Sequence, residues 1–181
     1  DLPKAVAVIG PGIIGLELGQ ALHRLGVHVA VLGRGGRVGP ISDPAIRAYA
    51  IATFNEEFTL EPDARIAAME RDGDRVTIRR AGPNGSQETG YFDYVLAATG
   101  RTPNVTGIGL DKTTLELDAE GVPSFDPATT RTASADEASP IFIAGDAGNF
   151  IPLLHEAADE GRIAGGNAAR LALGKQVNHG L

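Results

Sequence analysis

The chain has 181 residues, of which 43% are apolar, and a formal net charge of −7. That length accommodates one domain, or one domain and part of a second, and the composition is ordinary for a globular protein. The acidic balance argues against nucleic acid or an anionic membrane as the main partner, and no apolar run reaches the ~20 residues of a membrane span. The chain contains no cysteine, and its N-terminus does not resemble a signal peptide, so these features predict a cytoplasmic protein.

A glycine motif follows the first predicted strand. The apolar segment Ala5–Ile9 runs into the sequence GPGIIG at residues 10–15, and an amphipathic helix is predicted from about Ile13 to Leu25. This is G-x-G-x-x-G between a strand and a helix, the context in which the motif is typical of dinucleotide binding.

Each glycine of this motif has its own expected role. Gly10 permits the tight turn, Gly12 lets the backbone come close to a pyrophosphate, and Gly15 lets the helix pack against the strand. The unpaired N–H groups at the start of the helix, which includes Ile13 and Ile14, are expected to face the phosphates.

The next segments continue the alternation of strands and helices. Gly26 is a natural end for the first helix, and Asp43 with Pro44 is typical of the start of another. The order βαβαβ, then a β-meander, then a last strand predicts an α/β fold with a Rossmann-like nicotinamide-binding domain. The predicted elements are a strand at Val27–Leu32, a helix from Asp43 to about Glu57, a short strand at Phe58–Leu60, a meander from Arg65 to Phe92 with turns at Asp72–Asp74 and Pro83–Gly85, and a buried strand at Tyr94–Ala98.

Beyond Arg101–Asn104 the chain becomes polar and rich in turns. One strong strand and one helix are too few to form a separate core, so this segment is expected to be part of a larger domain. Its predicted elements are short strands at Val122–Phe125 and Thr129–Thr132, an apolar strand at Ile141–Ala144, and a helix from about Leu154 to Leu173.

Four motifs occur along the chain in a characteristic order: GPGIIGLELG, AATGRTPN, IFIAGDA and LLHEAADEGRIAGGNAA. Together they resemble the motifs of the pyridine nucleotide–disulfide oxidoreductases, and within that family they are most similar to dihydrolipoamide dehydrogenase. The resemblance covers nearly the whole chain and implies a fragment, with an NAD(P)-binding domain at residues 1–103 and the C-terminal segment of an FAD-binding domain at residues 104–181. The implied partners are a nicotinamide dinucleotide and the missing FAD half-domain and dimerisation domain of the parent chain.

The resemblance also implies roles for individual residues. Glu17, on the first turn of the helix after the glycine motif, would pair with a lysine beside the flavin; the alternative is an exposed helix residue. Gly100 would belong to a loop that lines the dinucleotide. Asp146 would accept a hydrogen bond from the ribityl chain of FAD.

The start of the last helix is expected to point at the pyrimidine edge of the flavin. There the helix dipole would stabilise negative charge on the reduced ring. Leu153, Leu154 and His155 match the family pattern in part. We interpret His155 as a packing or hydrogen-bonding residue, with the backbone making the cofactor contact.

The end of the second strand bears on the choice between NAD and NADP. An acidic residue there binds the ribose 2′-OH, whereas a nearby arginine accommodates a 2′-phosphate. Dihydrolipoamide dehydrogenases typically have the acid, but this chain has Gly33, followed by Arg34 and Arg37. The pattern is similar to NADPH-using relatives such as mercuric reductase and glutathione reductase, and it favours NADP. On this interpretation, Gly33→Glu would restore the 2′-OH acceptor; the alternative is that both arginines are ordinary surface charges.

Alternatives to a disulfide reductase remain. The parent enzyme would pass hydride between NAD(P)H and FAD, but the same fold serves NADH oxidases, ferredoxin reductases and transhydrogenases, which lack the disulfide. A non-enzymatic NAD(P)-binding module is a further alternative. Without cysteine the chain alone is expected to be inactive in thiol–disulfide exchange, and its four histidines lack the spacing of a metal site.

Overall fold

The structure of the chain is a computed structural model that describes residues 2–82, 86–134 and 140–179. The turn predicted at Pro83–Gly85 lies outside the described residues. The chain divides into two compact units, Asp1–Gly100 and Arg101–Leu181. In the described ranges, no helix is long and apolar enough to cross a membrane.

The first unit is built on a four-stranded parallel sheet with the strand order β3-β2-β1-β7. Its strands pair in parallel throughout, with Val8 opposite Val31 and Leu96 on either side. The elements are β1 (Ala5–Ile9), α1 (Ile13–Arg24), β2 (His28–Leu32), α2 (Pro44–Glu57), β3 (Thr59–Glu61) and β7 (Tyr94–Ala97).

A second sheet, antiparallel and three-stranded, is inserted between β3 and β7. Its strands are β4 (Arg65–Asp72), β5 (Arg75–Ala81) and β6 (Gln87–Phe92), and they lie in sequence order. The predicted α/β class, with parallel strands, helices and a meander, is therefore confirmed.

The parallel sheet is covered on both faces. Alternating residues of β1 and β2 point to opposite sides, so Val8 and Val31 pack with residues of α1 and α2, whereas Ala7 and Leu32 pack with the meander. Neither face of the sheet is exposed to water along β1 and β2, which explains why the sequences of these strands are apolar almost throughout. The arrangement also leaves the carboxyl ends of β1, β2 and β7 together at one edge of the sheet.

The second unit contains little regular structure in its described part. It has the helix α3 (Leu154–Ala172) and short 3-10 turns at Leu110–Lys112 and Gly145–Gly148. The buried Asn167 of α3 holds the unit together, since its amide donates to the carbonyl oxygens of Thr129 and Asn178.

The strands predicted in the second unit are wrong. Val122–Phe125 and Thr129–Thr132 form only isolated bridges, and in Ile141–Ala144 the single bridge joins Phe142 to Arg131. The segment Ile141–Ala144 is apolar enough for a central strand, but among the described residues it finds pairing on one side only. A strand assignment needs a continuous ladder as well as an apolar sequence.

Asp93 ties the start of β1 to the start of β7. Its carboxylate accepts hydrogen bonds from the backbone N–H groups of Lys4 (2.6 Å) and Ala5 (3.0 Å). These hydrogen bonds, that of Ala5 first, hold the pKa of Asp93 below its ordinary value because they favour the charged carboxylate.

We predict that Asp93 makes the stability of the protein depend on pH at the acidic end. The pKa is lower in the folded state than in the unfolded state, so the stabilisation is fully present above about pH 5 and is lost as the pH falls through the folded-state pKa. The free energy of unfolding of the wild type should therefore fall towards that of Asp93→Asn between pH 5 and 2, as measured by urea unfolding.

The control for this prediction is Asp74→Asn. Asp74 is exposed and forms no hydrogen bond with another described residue. Equal pH dependence of the wild type and Asp93→Asn would contradict the prediction.

Candidate functional site

The glycine loop lies at the carboxyl edge of the parallel sheet. Gly10 has φ +111°, and its N–H donates to the carbonyl oxygen of Leu32 at the end of β2 (2.9 Å). The N–H of Ala98, just after β7, donates to Ile9 at 2.8 Å. A Cβ atom on Gly10 would lie 2.3 Å from the Ala98 carbonyl oxygen, so both the conformation and the space require glycine here.

Gly15 and Gly12 differ in what surrounds them. A Cβ atom on Gly15 would lie 1.9 Å from the carbonyl oxygen of Gly10, which accounts for its predicted role in close packing. A Cβ atom on Gly12 would have no heavy atom within 4 Å. Among the described residues, no close contact therefore requires glycine at position 12, and the missing side chain leaves open space above the loop.

The start of α1 presents free backbone to this space. Gly12 is the N-cap residue and supplies no side-chain hydrogen bond, so the first N–H groups of the helix lack the usual partner. The side chains of Ile13 and Ile14 are about half exposed. Glu17 was predicted on the first turn but lies on the second, since the helix begins at Ile13; it is exposed and forms no ion pair with another described residue.

A cleft of about 930 Å³ opens above the glycine loop. Its lining comes from the glycine loop, the end of β2, the segment after β3 and the end of β7. Gly100, predicted to line a dinucleotide, is one of the lining residues and has φ +111°. The cleft is also lined by Gly10, Pro11, Gly12, Gly33, Arg34, Arg37, Asp63 and Arg65.

The charged groups of the cleft are mostly cationic. Arg34 and Arg37 are exposed, and neither guanidinium forms an ion pair or hydrogen bond with another described residue. Arg65 lies at the limit of an ion pair, with its Nε atom 4.0 Å from an Asp63 carboxylate oxygen. The cleft thus brings three guanidinium groups together with one carboxylate.

Gly33 is enclosed. A Cβ atom there would lie 2.5 Å from Cγ of Pro11 and 2.6 Å from the carbonyl oxygen of Pro62. Gly33→Glu would therefore require the Pro62 backbone to move, since this obstacle cannot rotate away as a side chain can, and its effect on a 2′-OH contact stays a prediction.

Asp146 of the second unit is paired within the chain. One of its carboxylate oxygens lies 2.9 Å from Nη1 of Arg101, and the pair is about half exposed. The 3-10 turn that carries Asp146 is fixed by Glu160 of α3, a buried residue whose carboxylate accepts the N–H of Gly145 at 2.6 Å. Arg101 and Asp146 line a smaller cleft of about 380 Å³ with Pro152, just before α3.

The start of α3 is exposed. Leu153 is the N-cap residue without a side-chain cap, and the side chain of Leu154 is 89% exposed. His155 was predicted to be a packing or hydrogen-bonding residue, but its side chain is 74% exposed and its nearest charged partner is Glu156, at 3.8 Å. The packing role is wrong within the described residues. The N–H groups of Leu154 and His155 have no partner among those residues, whereas that of Leu153 donates to the carbonyl oxygen of Ile151 (2.8 Å).

Comparison with known proteins agrees with this architecture. A sequence profile described as pyridine nucleotide-disulphide oxidoreductase matches residues 1–161. The chain belongs to this family. The resemblance found in its four motifs is thereby confirmed.

Two curated members of the family illustrate the relationship. The chain is 32% identical over 170 residues to dihydrolipoyl dehydrogenase of Thermus scotoductus, covering 93% of this chain and 36% of the relative. It is 35% identical over 172 residues to dihydrolipoyl dehydrogenase of Chlamydia trachomatis, covering 93% of this chain and 34% of the relative. The chain therefore spans about a third of the length of these family members.

Solved structures also resemble this chain, which corresponds to about a third of the length of each. LpdA from Mycobacterium tuberculosis is 30% identical and superposes with a TM-score of 0.76, covering 99% of this chain and 36% of that protein. The flavoprotein disulfide reductase RclA from Escherichia coli has a TM-score of 0.73 at 20% identity, over 90% of this chain and 36% of RclA. The second likeness shows the shared fold alone.

Sequence reasoning missed three residues that shape these sites. Asp63 and Arg65 enter the larger cleft from the segment after β3, and Glu160 holds the turn of Asp146. Asp63 and Arg65 follow Pro62 directly after a short strand, which is a signal for a loop at the sheet edge. Glu160 carried no such signal, because a glutamate on an amphipathic helix is usually exposed.

Gly15 is enclosed and Gly12 is open, so substitutions at the two positions should differ in their effect on stability. Gly15→Ala should destabilise the fold by at least about 2 kcal/mol, because the added methyl group forces backbone apart. Gly12→Ala should change the free energy of unfolding by less than about 1 kcal/mol, since its backbone conformation suits alanine and nothing is in the way. Urea unfolding of both variants checks this; similar losses in the two would contradict it.

Proposed function

We propose that the first unit binds a nicotinamide dinucleotide in the larger cleft and that the chain is part of an FAD-dependent oxidoreductase. Residues 1–103 would form the NAD(P)-binding domain and residues 104–181 a segment of the FAD-binding domain. The two relatives named as dihydrolipoyl dehydrogenases support a disulfide reductase as the parent enzyme. That part rests on the relatives, since the chain itself has no cysteine.

The observation that carries the proposal is the open space at Gly12 beside the uncapped start of α1. A buried packing role explains Gly10 and Gly15. It does not explain Gly12, where an added Cβ atom would lie more than 4 Å from any described residue outside the neighbouring backbone. A pyrophosphate placed there would receive the free N–H groups of the helix start and gain from the helix dipole. The residues therefore fit a dinucleotide.

The bound nicotinamide would supply hydride transfer to FAD. The chain's own residues bind and orient: the helix start and glycine loop would hold the pyrophosphate, and Gly100 would border the nicotinamide half. In the second unit, Asp146 keeps one carboxylate oxygen outside its ion pair with Arg101 and would accept a hydrogen bond from a flavin hydroxyl. The backbone N–H groups of Leu154 and His155 would donate to the flavin ring, whereas that of Leu153 already donates to the carbonyl oxygen of Ile151.

Binding of NADPH and NADH to the 181-residue chain, measured by titration calorimetry, tests the proposal. Gly12→Val should abolish binding of both, because its side chain fills the space assigned to the pyrophosphate, while thermal unfolding shows that the fold is kept. Gly165→Val is the matched control, since it adds the same side chain to an open position of α3. The proposal fails if neither dinucleotide binds the wild type, or if Gly12→Val binds as tightly as the wild type does.

We also propose that the chain prefers NADPH through Arg34, helped by Arg37. A charge-assisted contact with the 2′-phosphate contributes ~1.5–3 kcal/mol, which is roughly a tenfold to hundredfold preference. Arg34→Ala should remove most of this preference and leave the affinity for NADH nearly unchanged. Arg24→Ala, which removes an arginine of α1 outside the cleft lining, is the control. Equal affinity of the wild type for both dinucleotides would mean that the arginines are only surface charges.

A further inference from the structure

The loop of residues 33–39, here called the arginine loop, is fixed at both ends by neighbouring loops. Four of its glycine N–H groups donate outside the loop, and three of the four acceptors belong to the segment of residues 61–63. Only one acceptor is a side chain. The bonds run from Gly33 to the Glu61 carbonyl (2.8 Å), from Gly35 to Oδ1 of Asp63 (2.9 Å), from Gly36 to the Pro62 carbonyl (3.0 Å) and from Gly39 to the Pro11 carbonyl (2.7 Å).

The middle of the arginine loop depends on these bonds. Gly35 and Gly36 have φ of +75° and +71°, and a Cβ atom on either would meet no heavy atom within 4 Å. Glycine loses more conformational freedom on folding than any other residue, and no packing holds these two in place. The hydrogen bonds to Asp63 and Pro62 therefore help to place Arg34 and Arg37, together with Val38, which is fully buried in the core next to Arg37.

Residue 33 itself cannot contribute to recognition of the ribose. Pro11 on one side and the Pro62 carbonyl on the other leave no room for a side chain. The charged side chains that line the cleft are those of Arg34, Arg37, Asp63 and Arg65, and the first two lie in the loop that Asp63 helps to fix.

We propose that Asp63 is a positioning residue for dinucleotide selectivity, acting through its hydrogen bond to Gly35 to hold Arg34 and Arg37 at the 2′ end of the bound dinucleotide. This rests on the proposed function of the cleft. The carboxylate of Asp63 would by itself repel a 2′-phosphate, so its charge and its hydrogen bond have opposite effects on the preference. A substitution that removes the charge but keeps the acceptor oxygen therefore separates the effect of the charge from that of the hydrogen bond.

The test uses calorimetry on the 181-residue chain to measure the dissociation constants of NADH and NADPH. Their ratio, Kd for NADH divided by Kd for NADPH, rises with the preference for NADPH. Asp63→Ala removes the acceptor and should lower the ratio roughly fivefold, the factor that corresponds to one ordinary hydrogen bond. Asp63→Asn keeps an acceptor oxygen for Gly35 and should leave the ratio at or above that of the wild type. Asp74→Ala, which removes a carboxylate outside the cleft lining, should change nothing.

Gly35→Ala provides a second variant that does not alter any charge. Its methyl group has room, but φ of +75° disfavours alanine, so the loop should shift and the ratio should fall as it does for Asp63→Ala. A rise of the ratio in both Asp63 variants would show that the residue acts by charge and would overturn the proposal. So would an unchanged ratio in Asp63→Ala, or an equal fall in Asp63→Asn. Failure of the wild type to bind either dinucleotide would instead refute the proposed function.

Discussion

The close approach of three backbone segments at one edge of the parallel sheet determines the rest of the first unit. The glycine loop, the end of β2 and the end of β7 are joined by short hydrogen bonds, and the positions of contact have no room for a Cβ atom at Gly10, Gly15 or Gly33. Side chains are thus excluded at these three positions, and the uncapped N–H groups at the start of α1 lie beside a cleft. A surface of this kind favours ligands that accept hydrogen bonds and carry negative charge.

Carboxylates that accept backbone N–H groups recur in both units. Asp93 ties β1 to β7, Asp63 holds the arginine loop, Glu160 holds the turn of Asp146, and Asp126 accepts the N–H of Ala128. In each case a side chain satisfies a donor that no helix or sheet can satisfy. Substituting one of these residues would alter a turn or loop without changing the apolar core.

The sequence predicted the first unit well because its signals are local. The apolar runs of β1 and β2, the glycine motif and the Asp43-Pro44 helix start each specify their own conformation, and the structure has them within about a residue of the expected bounds. The cleft could be predicted in outline from the same motif. The enclosure of Gly33 could not, because it depends on Pro62, which is distant in the sequence and reaches the site only through the sheet order.

The second unit was predicted less well than the first, because its structure depends on contacts between segments that are distant in the sequence. Ile141–Ala144 has the sequence of a buried strand, yet a strand exists only where neighbours supply donors and acceptors along its length, and the described residues supply one bridge, to Arg131. His155 shows the same dependence, as its sequence position suggested packing but its side chain meets water and Glu156. Where such a segment borders a larger partner, its own residues encode only half of each contact. The apolar side chains of Leu153 and Leu154 at the start of α3 are 42% and 89% exposed, so they add little to the core of their own unit.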